Sequence, residues 1–555
     1  MRRRTAFLLL AAAIVVLVGI AVAGASVVGF GRTTPSVALG PPNFVDVTTA
    51  SGIDKMYDGP FPYAVGGGVA VLDCDGDGLP DLYIAGGTGP ATLYRNESTV
   101  GGDLRFAPIP SASTDLSGVT GAYPLDIDGD GIVDLAVLRN GENILLRGLG
   151  GCRFERANEM WGFDGGNLFT TAFSATWEGQ NALPTLAFGN YVVDAEHPDP
   201  NHLCSDNQLI RPGSSSGYGP PIALTPAWCA LSMLFSDWDR SGRRDLRISN
   251  DRHYYSDLSD GQDQLWRIAP GEPPRPYTAA DGWVPIRLQG MGIGSYDVTG
   301  DGYPDVYLTS QGPNVLQTLT AGPSQPTFRD IALKRGVEAT RPSTGGDPLP
   351  STAWHPEFQD VNNDGFVDLF VSKGNVGDQP DYATKDPSDL FLGRPDGTFI
   401  EGAEAAGIVT FTRGRGAALA DFNLDGMLDL VEVNSGDPVH IWRNVGSGDA
   451  STPAPMGHWV ALRFTQPGPN RDAIGAWVEV KVGDLTLSRE LTVGGGHVSG
   501  ELGWVHFGIG PATDAEVRVQ WPDGVTGPWL HVTANRFAII ERDATQPQQW
   551  LPPQG

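Results

Sequence analysis

The chain has 555 residues, with 37 Lys and Arg against 65 Asp and Glu for a formal net charge of −28. A surface this acidic repels phosphate, which argues against a nucleic-acid binder, and the length leaves room for two or three domains. With 74 Gly, 44 Pro and 40% hydrophobic residues, the composition favours many short strands and turns over long helices.

Residues 1–30 stand apart. "MRRR" is a basic start, and Thr5 to Phe30 carry no charged residue. The stretch reads as a signal peptide or as an uncleaved membrane anchor, since the uncharged run is long enough to span a bilayer and the small residues of "AVAGAS" suit cleavage. Either way the positive-inside bias puts the remainder outside the cytoplasm, where disulfides persist and calcium is available. Residues 31–42 read as a linker, and this N-terminal segment is the one expected membrane contact.

From residue 43 a repeat sets in. "DCDGDGLPD" at 73 recurs as "DIDGDGIVD" at 126, "DWDRSGRRD" at 237, "DVTGDGYPD" at 297, "DVNNDGFVD" at 360 and "DFNLDGMLD" at 421. Aspartates this close repel one another unless a cation sits among them, and oxygen donors on a glycine-punctuated turn suit calcium before magnesium. A seventh copy, from Trp177 in "WEGQNALPTLAFGN", keeps the frame and has lost the carboxylates. The starts lie 51 to 63 residues apart. Each loop is flanked by apolar runs such as "GGGVAVL" and "LYIAG", and further runs such as "HIWRN" and "TFIEG" follow. Four short strands per unit, seven times over, predict an all-β chain with a seven-bladed β-propeller across 43–444. "NFVDV" (43–47) is a fourth-strand sequence placed before the first unit, and it is expected to complete the last blade and so remove a free sheet edge.

These repeats resemble FG-GAP or VCBS repeats, the unit of integrin α-chain propellers, whose loops bind calcium between the first two strands. The resemblance implies about six Ca2+ sites, with side chains at positions one, three, five and nine and the carbonyl at seven. The implied sets are Asp73, Asp75, Asp77, Leu79 and Asp81; Asp126, Asp128, Asp130, Ile132 and Asp134; and Asp237, Asp239, Ser241, Arg243 and Asp245. The other three are Asp297, Thr299, Asp301, Tyr303 and Asp305; Asp360, Asn362, Asp364, Phe366 and Asp368; and Asp421, Asn423, Asp425, Met427 and Asp429. Loop 237 departs from the pattern with Arg at positions four, seven and eight, and Thr299 should weaken loop 297.

In such a propeller the metal loops mark one face and the long insertions belong to the other: 191–207, 251–263 and 372–389. Long loops on a rigid scaffold are where binding usually resides. Asn250, Asp251, Arg252, His253, Tyr254 and Tyr255 form the candidate partner-binding cluster. Cys204 and Cys229 fall toward that face and are expected to pair. Cys74 and Cys152 fall toward the metal face, and sequence does not fix their connectivity.

A polar linker, 445–456, precedes strand-like stretches over 457–543 that suit a small β-sandwich, with 544–555 as a tail. "NRDAIGA", "GGGHVSGELGWVHFGIG" and "VRVQWPDG" in this region resemble the ASPIC/UnbV domain. Together with the repeats the arrangement is similar to the cartilage acidic protein family, which implies an extracellular calcium-binding protein linked to adhesion, with no established reaction. The sequence holds no HExxH and no phosphate loop. The expected role is therefore a non-catalytic, extracytoplasmic binding protein, secreted or anchored, whose partner is a protein or a surface glycan. An enzyme with its site near Asp251 and His253, or near His197 and His202, is one alternative. An accessory factor maturing another exported protein is the other.

Overall fold

The computed structural model describes residues 37–192, 204–213, 217–251, 262–338, 349–377, 382–383 and 386–553. Among the described residues the strands group into seven successive four-stranded antiparallel units. Their first strands are Val69–Leu72, Ser117–Leu125, Leu168–Thr176, Ala230–Ser236, Gly290–Tyr296, Ala353–Gln359 and Gly414–Ala420. Each first strand neighbours the next, and the seventh neighbours the first, so the units form a closed, propeller-like ring. Val69–Leu72 is buried along its whole length, as are the second strands of most units. Strands covered on both faces need continuous apolar runs rather than alternation, and that is how they read in the sequence.

The ring closes as expected. Phe44–Asp46 pairs antiparallel with His440–Asn444, completing the sheet of Gly414–Ala420 and Asp429–Asn434. The third unit, the copy without carboxylates, folds like its neighbours: its loop joins Leu168–Thr176 to Thr185–Asn190. There Arg211 pairs with Glu178 at 2.7 Å, and Glu178 also accepts from Thr185 Oγ1 at 2.7 Å.

The C-terminal region is a sandwich of two four-stranded sheets. One contains Val505–Gly510, His458–Thr465, Arg536–Glu541 and Gln548–Trp550, and the other Leu485–Glu490, Trp477–Val482, Asp514–Gln520 and Leu530–Thr533. Val460, Leu462, Val478, Val480, Phe507 and Val517 fill the space between them. Two expectations are corrected here. Residues 548–550 are an edge strand rather than tail, because Trp550 packs against Trp504 and Phe537. The 445–456 stretch is a fixed turn rather than a loose linker: Val445 N donates to Asn43 O, and Asn43 N donates to Gly446 O.

No helix among the described residues is long and apolar enough to cross a membrane. The expected export signal or anchor lies outside the described residues, as do Arg252, His253, Tyr254, Tyr255, His197 and His202.

Candidate metal centres

Every repeat loop sits in the hairpin between the first and second strands, and the position-nine aspartate is the first residue of the second strand. This holds for Asp81, Asp134, Asp245, Asp305, Asp368 and Asp429. A strand start is a fixed, buried place, and all six carboxylates are at most 1% exposed.

Loops 73, 126, 360 and 421 share one hydrogen-bond plan. The position-one carboxylate accepts from backbone N–H groups further round the turn: Asp73 from Gly76 (2.9 Å) and Gly78 (3.1 Å), Asp126 from Gly129 (2.8 Å) and Gly131 (2.9 Å). The position-nine carboxylate accepts from position two on one side and from the third strand on the other. Asp81 takes Cys74 N and Asn96 N, both at 2.8 Å, and Asp429 takes Phe422 N (3.2 Å) and Asn444 N (2.8 Å). Glycine at position six has positive φ throughout, for example Gly78 at 89° and Gly426 at 85°, which L side chains rarely adopt.

What remains on these carboxylates points inward. Oxygens of Asp73, Asp75 and Asp81 lie within 4.8 Å of one another, and so do those of Asp126, Asp128 and Asp134. Burial pushes the Asp81 and Asp134 carboxyls up to about 8, with neighbouring carboxylates adding to the rise. Asp126 rises to about 7 by burial, then by repulsion from Asp472 of the sandwich. Hard, closely set oxygen donors whose ionisation is costly alone are the donor set a divalent cation suits. These two groups of acidic residues fit a metal ion.

The sequence did not reveal a second use of the loops. Asn96 and Asn444 end the third strands of "TLYRN" and "HIWRN", and each side chain reaches the preceding unit: Asn96 Nδ2 donates to Phe422 O at 2.8 Å, and Asn444 Nδ2 to Val361 O at 2.9 Å. The repeated Arg-Asn ending was the available signal. Loops 421 and 360 are thereby each tied to the next unit. The Cys74–Cys152 disulfide makes a covalent tie of the same kind between the first two units, and Cys204–Cys229 is the other disulfide present.

The sandwich covers the face on which the metal loops lie. Arg463 approaches Asp73 at 3.1 Å, Trp504 Nε1 donates to Gly78 O at 3.3 Å, and His506 Nε2 meets Asn363 Oδ1 at 2.6 Å. Between sandwich and ring lies a cavity of about 460 Å³ whose lining includes Asp126, Asp472, Glu357, Glu501, Arg463 and Arg489. From the sandwich, residues 493–501 enter the centre of the ring. Val493–Gly494 pairs with the third and fourth units, Gly496 with Ile293, Ser499 with Ala122, and Gly500–Glu501 with Ala70 and Val71. His497 and Val498 are fully buried there. His497 N donates to His355 Nδ1 at 3.0 Å, and its ring lies 4.9 Å from that of Trp354. The glycine-rich stretch "GGGHVSG" is thus a plug, and sequence reading had taken it only as a domain motif.

On the opposite side, Asp251 is 5% exposed and accepts from Tyr191 OH at 2.8 Å; burial lifts its carboxyl to about 7. Asn250, also buried, donates to Gln262 O at 2.8 Å. Of the expected partner-binding cluster, these two residues alone are among the described residues.

Comparison with known proteins follows the same division. A family model for "ASPIC and UnbV" matches residues 466–547, and one for "FG-GAP-like repeat" matches 73–137, 297–371 and 360–432. Cartilage acidic protein 1 of Mus musculus is 26% identical over 307 residues, covering 49% of this chain and 44% of that protein. The Homo sapiens protein of the same name is 26% identical over 275 residues, covering 44% and 36%. The chain spans less than half the length of these curated relatives. Among solved structures, BBS1N in complex with ARL6DN aligns at 12% identity with a TM-score of 0.41, covering 75% of this chain and 100% of that one. The chain thus carries FG-GAP-like repeats followed by an ASPIC and UnbV domain, and its homologues at modest identity are cartilage acidic protein 1.

Proposed function

We propose that this is a non-catalytic, extracytoplasmic protein of the adhesion type, braced by calcium and binding a protein or surface glycan through the face opposite its metal loops. The observation that carries the calcium reading is the convergence of Asp73, Asp75 and Asp81, and of Asp126, Asp128 and Asp134, at hairpins repeated round the ring. An ion there would neutralise carboxylates that burial otherwise penalises, and it would stiffen each hairpin against its neighbour. With calcium about tenfold above an affinity typical of extracellular modules, each ion contributes about 1.4 kcal/mol. Occupation of the metal-loop face by the sandwich supports assigning the partner to the other face. The relatives' extracellular setting, implied by the word cartilage in their name, supports the location.

The test is a calorimetric titration of the chain with calcium, joined to thermal melts with and without chelator. Several ions bound per chain and a large fall in melting temperature on chelation are expected. No binding and an unchanged melt would remove the calcium role.

A catalytic reading has one observation in its favour, the buried Asp251 with its carboxyl near neutrality beside Tyr191 OH. It predicts that Asp251→Asn abolishes a turnover that a binding protein would not have.

A further inference from the structure

One repeat loop does not fit a metal ion, and the disagreement has a use. Loop 237–245, "DWDRSGRRD", holds three aspartates and three arginines and is neutral, whereas "DCDGDGLPD" and "DIDGDGIVD" each hold four aspartates and no cation. In the other loops the position-nine carboxylate is met by backbone N–H groups and keeps oxygen lone pairs for an ion. Asp245 is instead saturated. Arg243 reaches it through Nε at 3.0 Å and Nη2 at 3.1 Å; Trp238 Nε1 (2.9 Å), Tyr277 OH (2.7 Å) and Ile268 N (3.0 Å) also donate to it. The same guanidinium stands 3.8 Å from Asp239. A bidentate arginine gives the carboxylate its counter-charge and directed hydrogen bonds together, leaving no coordination site to fill.

The two remaining arginines turn to the sandwich. Arg240 donates to Gln520 Oε1 at 2.7 Å and Glu479 Oε1 at 3.3 Å, and lies 4.6 Å from the Trp477 ring centroid. Arg244, 8% exposed, donates to Pro522 O at 3.0 and 2.9 Å. From the sandwich side, Glu490 accepts from Asp237 N at 2.9 Å and Ser236 Oγ at 2.7 Å. Arg147 near loop 126 differs in kind: it comes from the third strand and pairs with Asp128 and Asp130 at 2.6 Å, leaving Asp126 and Asp134 to their backbone donors.

We infer that loop 237–245 is a metal-free clamp, in which Arg243 replaces the ion and Arg240 and Arg244 hold the C-terminal sandwich on the ring whether or not calcium is bound. The inference rests on the calcium reading for the other loops and corrects the expected six ions to five at most. In the metal sets implied for the sequence, Asp237, Asp239, Ser241, Arg243 and Asp245 are therefore not ligands.

The test counts bound calcium on the full chain by native mass spectrometry and follows hydrogen exchange in chelator. Asp239→Asn should leave the count unchanged, Asp128→Asn should lower it by one, and Ser241→Asp with Arg243→Leu should raise it by one. Loss of an ion in Asp239→Asn, or no gain in the double variant, would overturn the ion replacement. With calcium chelated, amides of 493–501 should stay protected in the native chain and exchange at least tenfold faster in Arg240→Ala with Arg244→Ala. Equal protection in both would overturn the clamp. A native chain that binds no calcium yet shows this exchange difference would instead overturn the calcium reading and keep the clamp.

Discussion

The plug passes so close to the inner strands that two glycines are obligatory. A Cβ added at Gly68 would lie 1.8 Å from Val498 O, and one at Gly121 would lie 2.1 Å from the same oxygen. The obstacle is backbone, which cannot rotate away as a side chain would. Two responses compete. The chain can keep the plug seated and accept overpacking, at about 1–3 kcal/mol per alanine. Otherwise it can release the plug and lose what holds it. That hold includes Gly495 N to Met233 O and Gly496 N to Ile293 O at 2.7 Å, Ile293 N to Gly496 O at 3.1 Å and Leu502 N to Val71 O at 3.0 Å. Val69 N to Ser499 Oγ at 3.1 Å and His497 N to His355 Nδ1 at 3.0 Å add to it. At about 0.5–1.5 kcal/mol net each, with about 1.5–3 kcal/mol for buried Val498, release is the costlier response to one alanine. Gly68→Ala should therefore be destabilised by about 1–3 kcal/mol with 493–501 still protected. In Gly68→Ala with Gly121→Ala the strain doubles to about 2–6 kcal/mol against a hold of about 4.5–12 kcal/mol, so the plug stays seated but those amides should exchange faster than in the single variant. Chemical denaturation combined with hydrogen exchange reads both effects. A single variant as stable as the native chain would refute the close approach.

Two further outcomes can be measured on the same footing. His497 is held down to about 3, by burial first and then by the nearby Arg415 and His355 charges. Its folded value lies below its unfolded one, so this contribution is fully present above about pH 6.5 and lost as the pH falls; about 2 kcal/mol of it is gone by pH 5. The stability gap between the native chain and His497→Gln, from denaturant melts, should narrow by that much between pH 8 and pH 5; a constant gap would sink the assignment. Replacing both members of the Cys74–Cys152 pair by Ser removes a link between residues 78 apart. It should cost about 2–4 kcal/mol, and a change under about 0.5 kcal/mol would show that the first two units stay joined without it.

The ring was legible because its signals are local and repeated. A nine-residue loop with apolar runs on either side announces a hairpin wherever it occurs, and the unpaired "NFVDV" gave away the closure. The carboxylate-free copy at Trp177 was readable from the doubled gap and the Leu-Pro it shares with the first loop, although the Arg211–Glu178 pair that occupies it was not. What stayed hidden depends on surfaces meeting across long sequence separations. Nothing near 497 says that its ring will meet Leu231 O at 3.2 Å and its backbone His355, and nothing in "SGRRD" says which arginine turns inward and which two turn outward. The strand at 548–550 was missed because it is three residues long and its apolar anchor is one tryptophan. The Arg-Asn endings were on view, but their partners lie in another unit, 83 residues away for Asn444 and 326 for Asn96.

Phe44–Asp46, made at the start of the chain, has its partner His440–Asn444 almost 400 residues later. At synthesis rates of roughly 5–20 residues per second, the first-made strand waits roughly 20–80 s for the last-made one. During that interval the early units can stack on one another, but the seam stays open and one sheet edge is bare. The plug comes later still, after the seam's second half has been made. The order of manufacture is therefore wall, seam, then stopper, and a partner that assisted folding would have its longest opportunity at the seam.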